Sequence, residues 1–184
     1  MPTDAACRCL VCAGYGDRDH LDTVDTGLVA HVADPGWGLL AIPADEVSAG
    51  WTFTVGLWHS FRTPELAVFG LDPKPGLALL NAIGEQVGAG LRVAAGDRLA
   101  GFLRSGATLE VRQVDEGWHE AFFGTARGFY RATRPAVPFL QVVWPDRDGR
   151  FPAQDGFAVE LEPCQPWLWL APAEHPRGPW TAVL

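Results

Sequence analysis

The sequence predicts an α+β fold built on a mainly antiparallel sheet with about three helices, a small closed barrel being the alternative form of that sheet. Three observations carry this expectation. Short runs of strand character follow one another with few residues between them, as antiparallel neighbours do. Glycine and proline are frequent, 21 and 15 of 184 residues, which breaks the chain into short elements joined by turns. Hydrophobic residues make up 48% and charged residues 20%, enough apolar material for a core without staples.

The first element is a helix. Asp19 is placed to cap it, with Asp22 in the first turn near the positive end of the dipole. Leu21, Val24, Leu28 and Val32 then form one apolar stripe, and Pro35-Gly36 stops the helix. Three strand candidates follow. "WGLLAIPA" (37–44) is apolar and bounded by turn residues. "WTFTVGLW" (51–58) alternates, with Trp51, Phe53, Val55 and Leu57 on one face and Thr52 and Thr54 on the other. "ELAVFGL" (65–71) is an almost unbroken apolar run, the pattern of a strand covered on both faces. Between the last two, "WHSFRTP" reads as a loop, with Pro64 setting the entry to the strand.

A second helix is expected over 75–89. Pro75 suits its first turn, Leu77, Leu80, Ile83 and Val87 make its stripe, and Gly90 closes it. Gly84 and Gly88 work against it, since glycine inside a helix costs about 1 kcal/mol relative to alanine. "ATLEVRQV" (107–114) alternates as a strand. Asp115 can cap a third helix over 116–130, with Trp118, Phe122 and Phe129 on one side. "FLQVVWP" (139–145) is another buried strand, and "DRDGRFP" its turn. Beyond Phe157 the chain becomes rich in proline and tryptophan and reads as an irregular strap. The organisation expected is a cysteine-containing N-terminal tail (1–18), a single α+β domain (19–160) and a C-terminal strap (161–184).

Composition also excludes partners. The net charge of −8 and pI near 5.0 argue against nucleic acid, whose phosphates require a basic face. No stretch approaches the roughly 20 apolar residues that span a membrane. The N-terminus lacks the basic start and apolar run of a secretory signal, so the expected compartment is the cytoplasm, where thiols stay reduced. A small molecule and a protein partner both remain compatible with the composition.

Three of the four cysteines fall within six positions, as "CRCLVC". Zinc sites favour Cys-x₂₋₄-Cys, because two thiolates then reach one ion from a tight turn. Cys9 and Cys12 have that spacing, Gly14 lets the backbone fold back, and Cys7 is a candidate third ligand. A fourth is to be sought in His20 or Cys164. A redox or modifiable thiol pair and a plain tail are the competing readings.

Other residues are candidates for a pocket. Thr54 lies on the polar face of its strand, and Gly56 marks a bulge or a close backbone approach. Asn81 interrupts the apolar stripe of the second helix, and Gln141 interrupts a buried strand; buried amides must be hydrogen-bonded, so each ties a loop or faces a ligand. His59, beside Ser60 in a loop between strands, is the best catalytic candidate. Glu65 is the second, although a carboxylate at a strand start more often caps backbone donors or pairs with a cation such as Arg62. Asp146 and Asp148 before Gly149 read as a turn rather than a calcium loop, since the distal ligands are missing.

The stretch "WTFTVGLWHSFRTPELAVFGLD" resembles the signature of a bacterial family called domain of unknown function 4262. The resemblance rests on Phe53-Thr54-Val55-Gly56-Leu57, on Pro64-Glu65-Leu66 and on Gly70-Leu71. "GWGLLAI" is similar to the strand that precedes this signature, "LLNAIGEQVGAG" to the helix after it and "FLQVVWPDRDGRFP" to its C-terminal block. Cys9-Leu10-Val11-Cys12-Ala13-Gly14 resembles the Cys-x-x-Cys-x-Gly start of many members, which singles out Cys9 and Cys12 as a pair and leaves Cys7 as an extra. The resemblance covers roughly 9–157 and implies a bacterial protein, but no reaction.

The reading favoured by the sequence is a small-molecule pocket on the sheet, enzymatic or not, lined by Thr54, Gly56, Asn81 and Gln141. A flavin enters only because the order of the first three strands is similar to that of flavin-binding split barrels. Two alternatives stand beside it: a protein-interaction module using the tryptophan strap or the cysteine tail, and a zinc-binding protein using Cys7, Cys9 and Cys12.

Overall fold

The structure, a computed structural model, describes residues 6–13, 21–131 and 133–182. Its centre is one six-stranded sheet: β1 (Gly38–Ile42), β2 (Trp51–Val55), β3 (Glu65–Phe69), β4 (Arg98–Leu99), β5 (Leu109–Gln113) and β6 (Phe139–Val143). The spatial order is β1-β2-β3-β6-β5-β4, and every pairing is antiparallel except β3 with β6. The fold is therefore α+β with a mostly antiparallel sheet. The sheet is open, with β1 and β4 at its two edges, and does not close into a barrel.

The two central strands are the two that read as unbroken apolar runs. All five residues of β3 and all five of β6 are buried. Side-chain alternation then sorts the two faces by chemistry. Leu66, Val68, Leu140 and Val142 belong to an aliphatic layer under α3 (Pro73–Gly88), together with Leu80 and Ile83. Phe53, Phe69 and Phe139 point the other way, into an aromatic layer with Trp118, Phe123 and Phe129. Phe123 stacks on Phe139 at 4.2 Å between ring centroids. Gly84 earns its place in α3 sterically: a Cβ there would lie 2.6 Å from the Trp37 indole, so the glycine lets the helix approach the sheet.

Several helices differ from expectation. α1 (Thr23–Ala33) starts one turn late: Asp22, not Asp19, is the N-cap, and its carboxylate accepts from the Asp25 N–H at 2.8 Å. Asp19 itself lies outside the described residues. Leu28 and Val32 are buried as the stripe requires, but Val24 overhangs the core and is exposed. The third helix is broken in two. Asp115 caps a 3₁₀ turn at Glu116–Trp118, then α4 (His119–Phe122) ends at Phe123 and α5 (Gly124–Tyr130) begins. Finally, the expected strand 51–58 stops at Val55, and part of the expected loop is a short helix, α2 (Leu57–Phe61). Gly56 makes that corner with φ of 118°, a left-handed conformation open to glycine.

The C-terminal strap is packed along the aromatic face. Leu168 and Trp180 are buried in its core, while Trp167 and Trp169 are half-buried and stack on each other, with Arg112 over Trp169. No helix among the described residues is long and apolar enough to cross a membrane.

Candidate metal centre

The cysteine segment is anchored before any ion is considered. Cys9 and Leu10 are buried in the aromatic layer. The Leu10 N–H donates to the Phe129 carbonyl of α5 at 2.9 Å, and the Arg8 N–H donates to the Thr133 hydroxyl at 2.9 Å. A turn follows, closed by the Ala13 N–H on the Cys9 carbonyl at 3.0 Å. This turn brings all three thiols to one side, and the side chain that meets them is His59, from α2.

The His59 Nδ1 lies 3.8 Å from the Cys7 Sγ, 3.4 Å from the Cys9 Sγ and 3.2 Å from the Cys12 Sγ. All four donor atoms lie within 4.8 Å of one another. A tetrahedral zinc with Zn–S near 2.3 Å and Zn–N near 2.0–2.1 Å holds sulfur and nitrogen donors about 3.5 Å apart. The three sulfur-to-nitrogen distances bracket that value. Cys9 is buried, Cys7 and His59 are half-buried and Cys12 is exposed, so one side of the cluster meets solvent.

The electrostatics disfavour free thiolates when no cation is bound. Burial raises the Cys9 thiol to about 12, and burial followed by the neighbouring Cys7 raises Cys12. Thiols packed this closely resist ionising in turn, a penalty that a bound cation removes. The His59 imidazole is shifted down, first by burial and then by the Arg62 cation, which favours the neutral form that binds metal.

Glu65 explains why His59 stands where it does. Its buried carboxylate accepts the Gly56 N–H at 2.9 Å and the Trp58 N–H at 3.0 Å, two donors at the N-terminus of α2 that have no partner within the helix. The Thr54 hydroxyl donates to it at 2.5 Å, and the Tyr130 hydroxyl donates to it as well. Burial pushes the Glu65 pKa up, while these four donors pull it back. The Tyr130 hydroxyl is held well above its ordinary pKa by burial and by the Glu65 charge, so it stays a donor. Thr54, Glu65 and Tyr130 thus fix the short helix that presents His59.

None of the other described sequence candidates supplies a donor atom to this cluster. Gly56 approaches other protein backbone closely: a Cβ there would lie 2.9 Å from the Gly36 carbonyl. Thr54 also receives the Leu66 N–H at 2.9 Å and is fully engaged within the sheet. Asn81 is half-buried on α3 and donates to Glu85 one turn on, at 2.8 Å. Gln141 is buried and ties the strap to β6. Asp146 is a turn residue, accepting from the backbone of Asp148, Arg150 and Ala158. Of the two fourth ligands expected from the sequence, His20 lies outside the described residues, and Cys164 is not in the cluster. Tyr130 was not signalled at all, because nothing in "GFYRAT" marks its hydroxyl as reaching a residue 65 positions away.

A family model described as Domain of unknown function (DUF4262) matches residues 31–158. The chain belongs to that family. The matched span holds the whole sheet, His59, Glu65 and Tyr130, while the three cysteines precede it. Nothing among the curated proteins or the solved structures matches the chain.

Proposed function

We propose that this DUF4262 protein is a metal-binding protein whose Cys7, Cys9, Cys12 and His59 hold one zinc ion. The observation that supports it is the meeting of four soft or borderline donors from segments about 50 residues apart, at separations close to those of a tetrahedral site. Three thiolates and one imidazole in that geometry are the donor set of zinc rather than of magnesium or calcium, which take oxygen ligands. Four protein ligands leave no open position for substrate, so the ion acts structurally: it clasps the N-terminal segment to α2. The Glu65–Tyr130–Thr54 network is its supporting shell, holding the imidazole-bearing helix rather than acting as an acid or base.

Elemental analysis of protein purified without added metal is the test. The expected result is about one equivalent of zinc. His59→Ala should lower it sharply, and His20→Ala should leave it unchanged. Zinc below about a tenth of an equivalent in the unaltered protein, or retention by His59→Ala, sinks the assignment.

A further inference from the structure

The four donors of the metal centre are not equally covered. Cys9 is fully buried, Cys7 and His59 are half-buried, and Cys12 is exposed. A thiolate is a nucleophile, and the one that water reaches is the one an oxidant reaches first. Four protein ligands leave the ion no open position, so the group that meets a small solute here is the Cys12 sulfur.

Cys9 is the thiol placed to answer it. The chain makes one helical turn there, closed by the Ala13 N–H on the Cys9 carbonyl at 3.0 Å. Residues three apart in such a turn share a face, so Cys9 and Cys12 stand side by side. Their sulfurs are among the donor atoms that all lie within 4.8 Å of one another. Cys7 lies outside the turn, beyond Arg8, whose N–H is tied to the Thr133 hydroxyl at 2.9 Å. An exposed sulfur beside a resolving thiol is the arrangement of a redox-responsive cysteine. The fourth cysteine, Cys164, is half-buried and not in the cluster.

We propose, resting on the zinc reading above, that Cys12 and Cys9 form a hydroperoxide-responsive switch that releases the ion. The Cys12 thiolate attacks one peroxide oxygen. An S–O bond forms, the O–O bond breaks, and the departing hydroxide or alkoxide takes a proton from water. Cys12 is then a sulfenic acid, oxidised by two electrons, and the peroxide has been reduced. The Cys9 thiolate next attacks the Cys12 sulfur. The S–S bond forms, the S–O bond breaks, and hydroxide leaves and takes a second proton. For hydrogen peroxide, two thiolates, one peroxide and two protons become one disulfide and two waters. Two of the four donors are consumed, and Cys7 and His59 alone do not make a closed site, so the ion leaves. The disulfide lies within one turn and bridges nothing beyond it. The link from the N-terminal segment to α2 is therefore lost, while the Leu10 N–H keeps its bond to the Phe129 carbonyl.

The test is a titration of the full, zinc-loaded chain with hydrogen peroxide, with released zinc read by a chromogenic chelator. Free thiols are then alkylated and the peptides mapped by mass spectrometry. Zinc is measured before peroxide is added. A chain that never held the ion fails the metal reading and the switch with it, whereas a chain that keeps its ion through peroxide fails the switch alone. The expected result is loss of the whole zinc content with about one peroxide consumed per ion, a Cys9–Cys12 disulfide in the map, and Cys7 and Cys164 alkylated. A thiol reductant with added zinc should restore the starting state. Cys12→His keeps a zinc ligand but removes the nucleophile, and should slow release about tenfold or more. Cys164→Ser should release zinc as the unaltered chain does. The proposal is overturned if zinc stays bound in excess peroxide, if Cys12 is recovered as a sulfinic acid instead of a disulfide, or if the disulfide joins another pair. Should Cys12→His fail to bind zinc, the peptide map of the unaltered protein decides the matter.

Discussion

The two ends of the chain are fastened to the same domain by different chemistry. The C-terminal strap is held as an extra strand would be, by apolar burial and amide hydrogen bonds. Gln141 of β6 donates to the Pro166 carbonyl at 2.8 Å and accepts from the Leu168 N–H at 3.3 Å, imitating a peptide unit with its side chain. Gln165 does the same in reverse, accepting from the Trp144 N–H at 3.1 Å and donating to the Trp144 carbonyl at 2.9 Å. Leu168, Gln165 and Trp180 are buried. Among the described residues of the N-terminal segment, Cys9 and Leu10 are buried, and the Arg8 and Leu10 N–H groups donate to Thr133 and Phe129. The thiol cluster around His59 lies on the same turn. By the proposal above, a zinc ion joining the four donors gives the N-terminal turn a local bond that the strap does without.

The largest effect should come from removing that bond. Cys9→Ser, or chelation of the unaltered protein at neutral pH, should empty the site and free the N-terminal segment while the strap stays in place. Hydrogen exchange should then rise at Leu10, and the melting temperature should fall by about 5–10 °C. Unchanged protection at Leu10 after chelation means that burial alone holds the turn.

Next is the converse change at the strap. Gln141→Ala leaves the Pro166 carbonyl and the Leu168 N–H buried without their partner, and should cost about 2–4 kcal/mol in denaturant unfolding. Zinc content should be unaffected. A loss of metal in this variant shows that the two fastenings are coupled rather than independent.

A smaller effect is expected from the shell behind His59. Glu65→Gln keeps the shape but turns one carboxylate oxygen into an amide donor, facing N–H and O–H groups that need an acceptor. Zinc affinity should drop about 10- to 100-fold in competition with a chromogenic chelator, with the sheet intact by circular dichroism. Equal affinity removes Glu65 from the account of the centre.

The least drastic change is pH. Burial keeps the Cys9 and Cys12 thiols protonated when no ion is bound, so metal binding releases their protons. His59, shifted down, is already neutral at pH 7 and releases none there. Affinity should therefore rise with pH through the neutral range, about tenfold per unit for each proton released, and fall more steeply once the imidazole protonates in mild acid. A flat profile between pH 6 and 8 argues that the thiols are already ionised without metal.

How much of this was written in the sequence differs between fold and site. The unbroken apolar runs at 65–71 and 139–145 located the two fully buried central strands, because periodicity reports burial directly. The short helix α2 was not legible, since five residues offer less than two turns of pattern and its N-terminal donors are satisfied by Glu65 rather than by a local cap. The third helix read as continuous because its aromatic stripe runs through the break at Phe123.

The cysteine spacing by itself determined that three thiols could share one ion, since residues two to five apart meet in any tight turn. It could not choose the fourth donor among five histidines, because that choice depends on which distant segment folds over the turn. Only the tertiary structure brings His59 to the three thiols. The left-handed corner at Gly56 and the buried Glu65 carboxylate together aim α2 at the cysteines, and that aim is a product of non-local packing that no local pattern records.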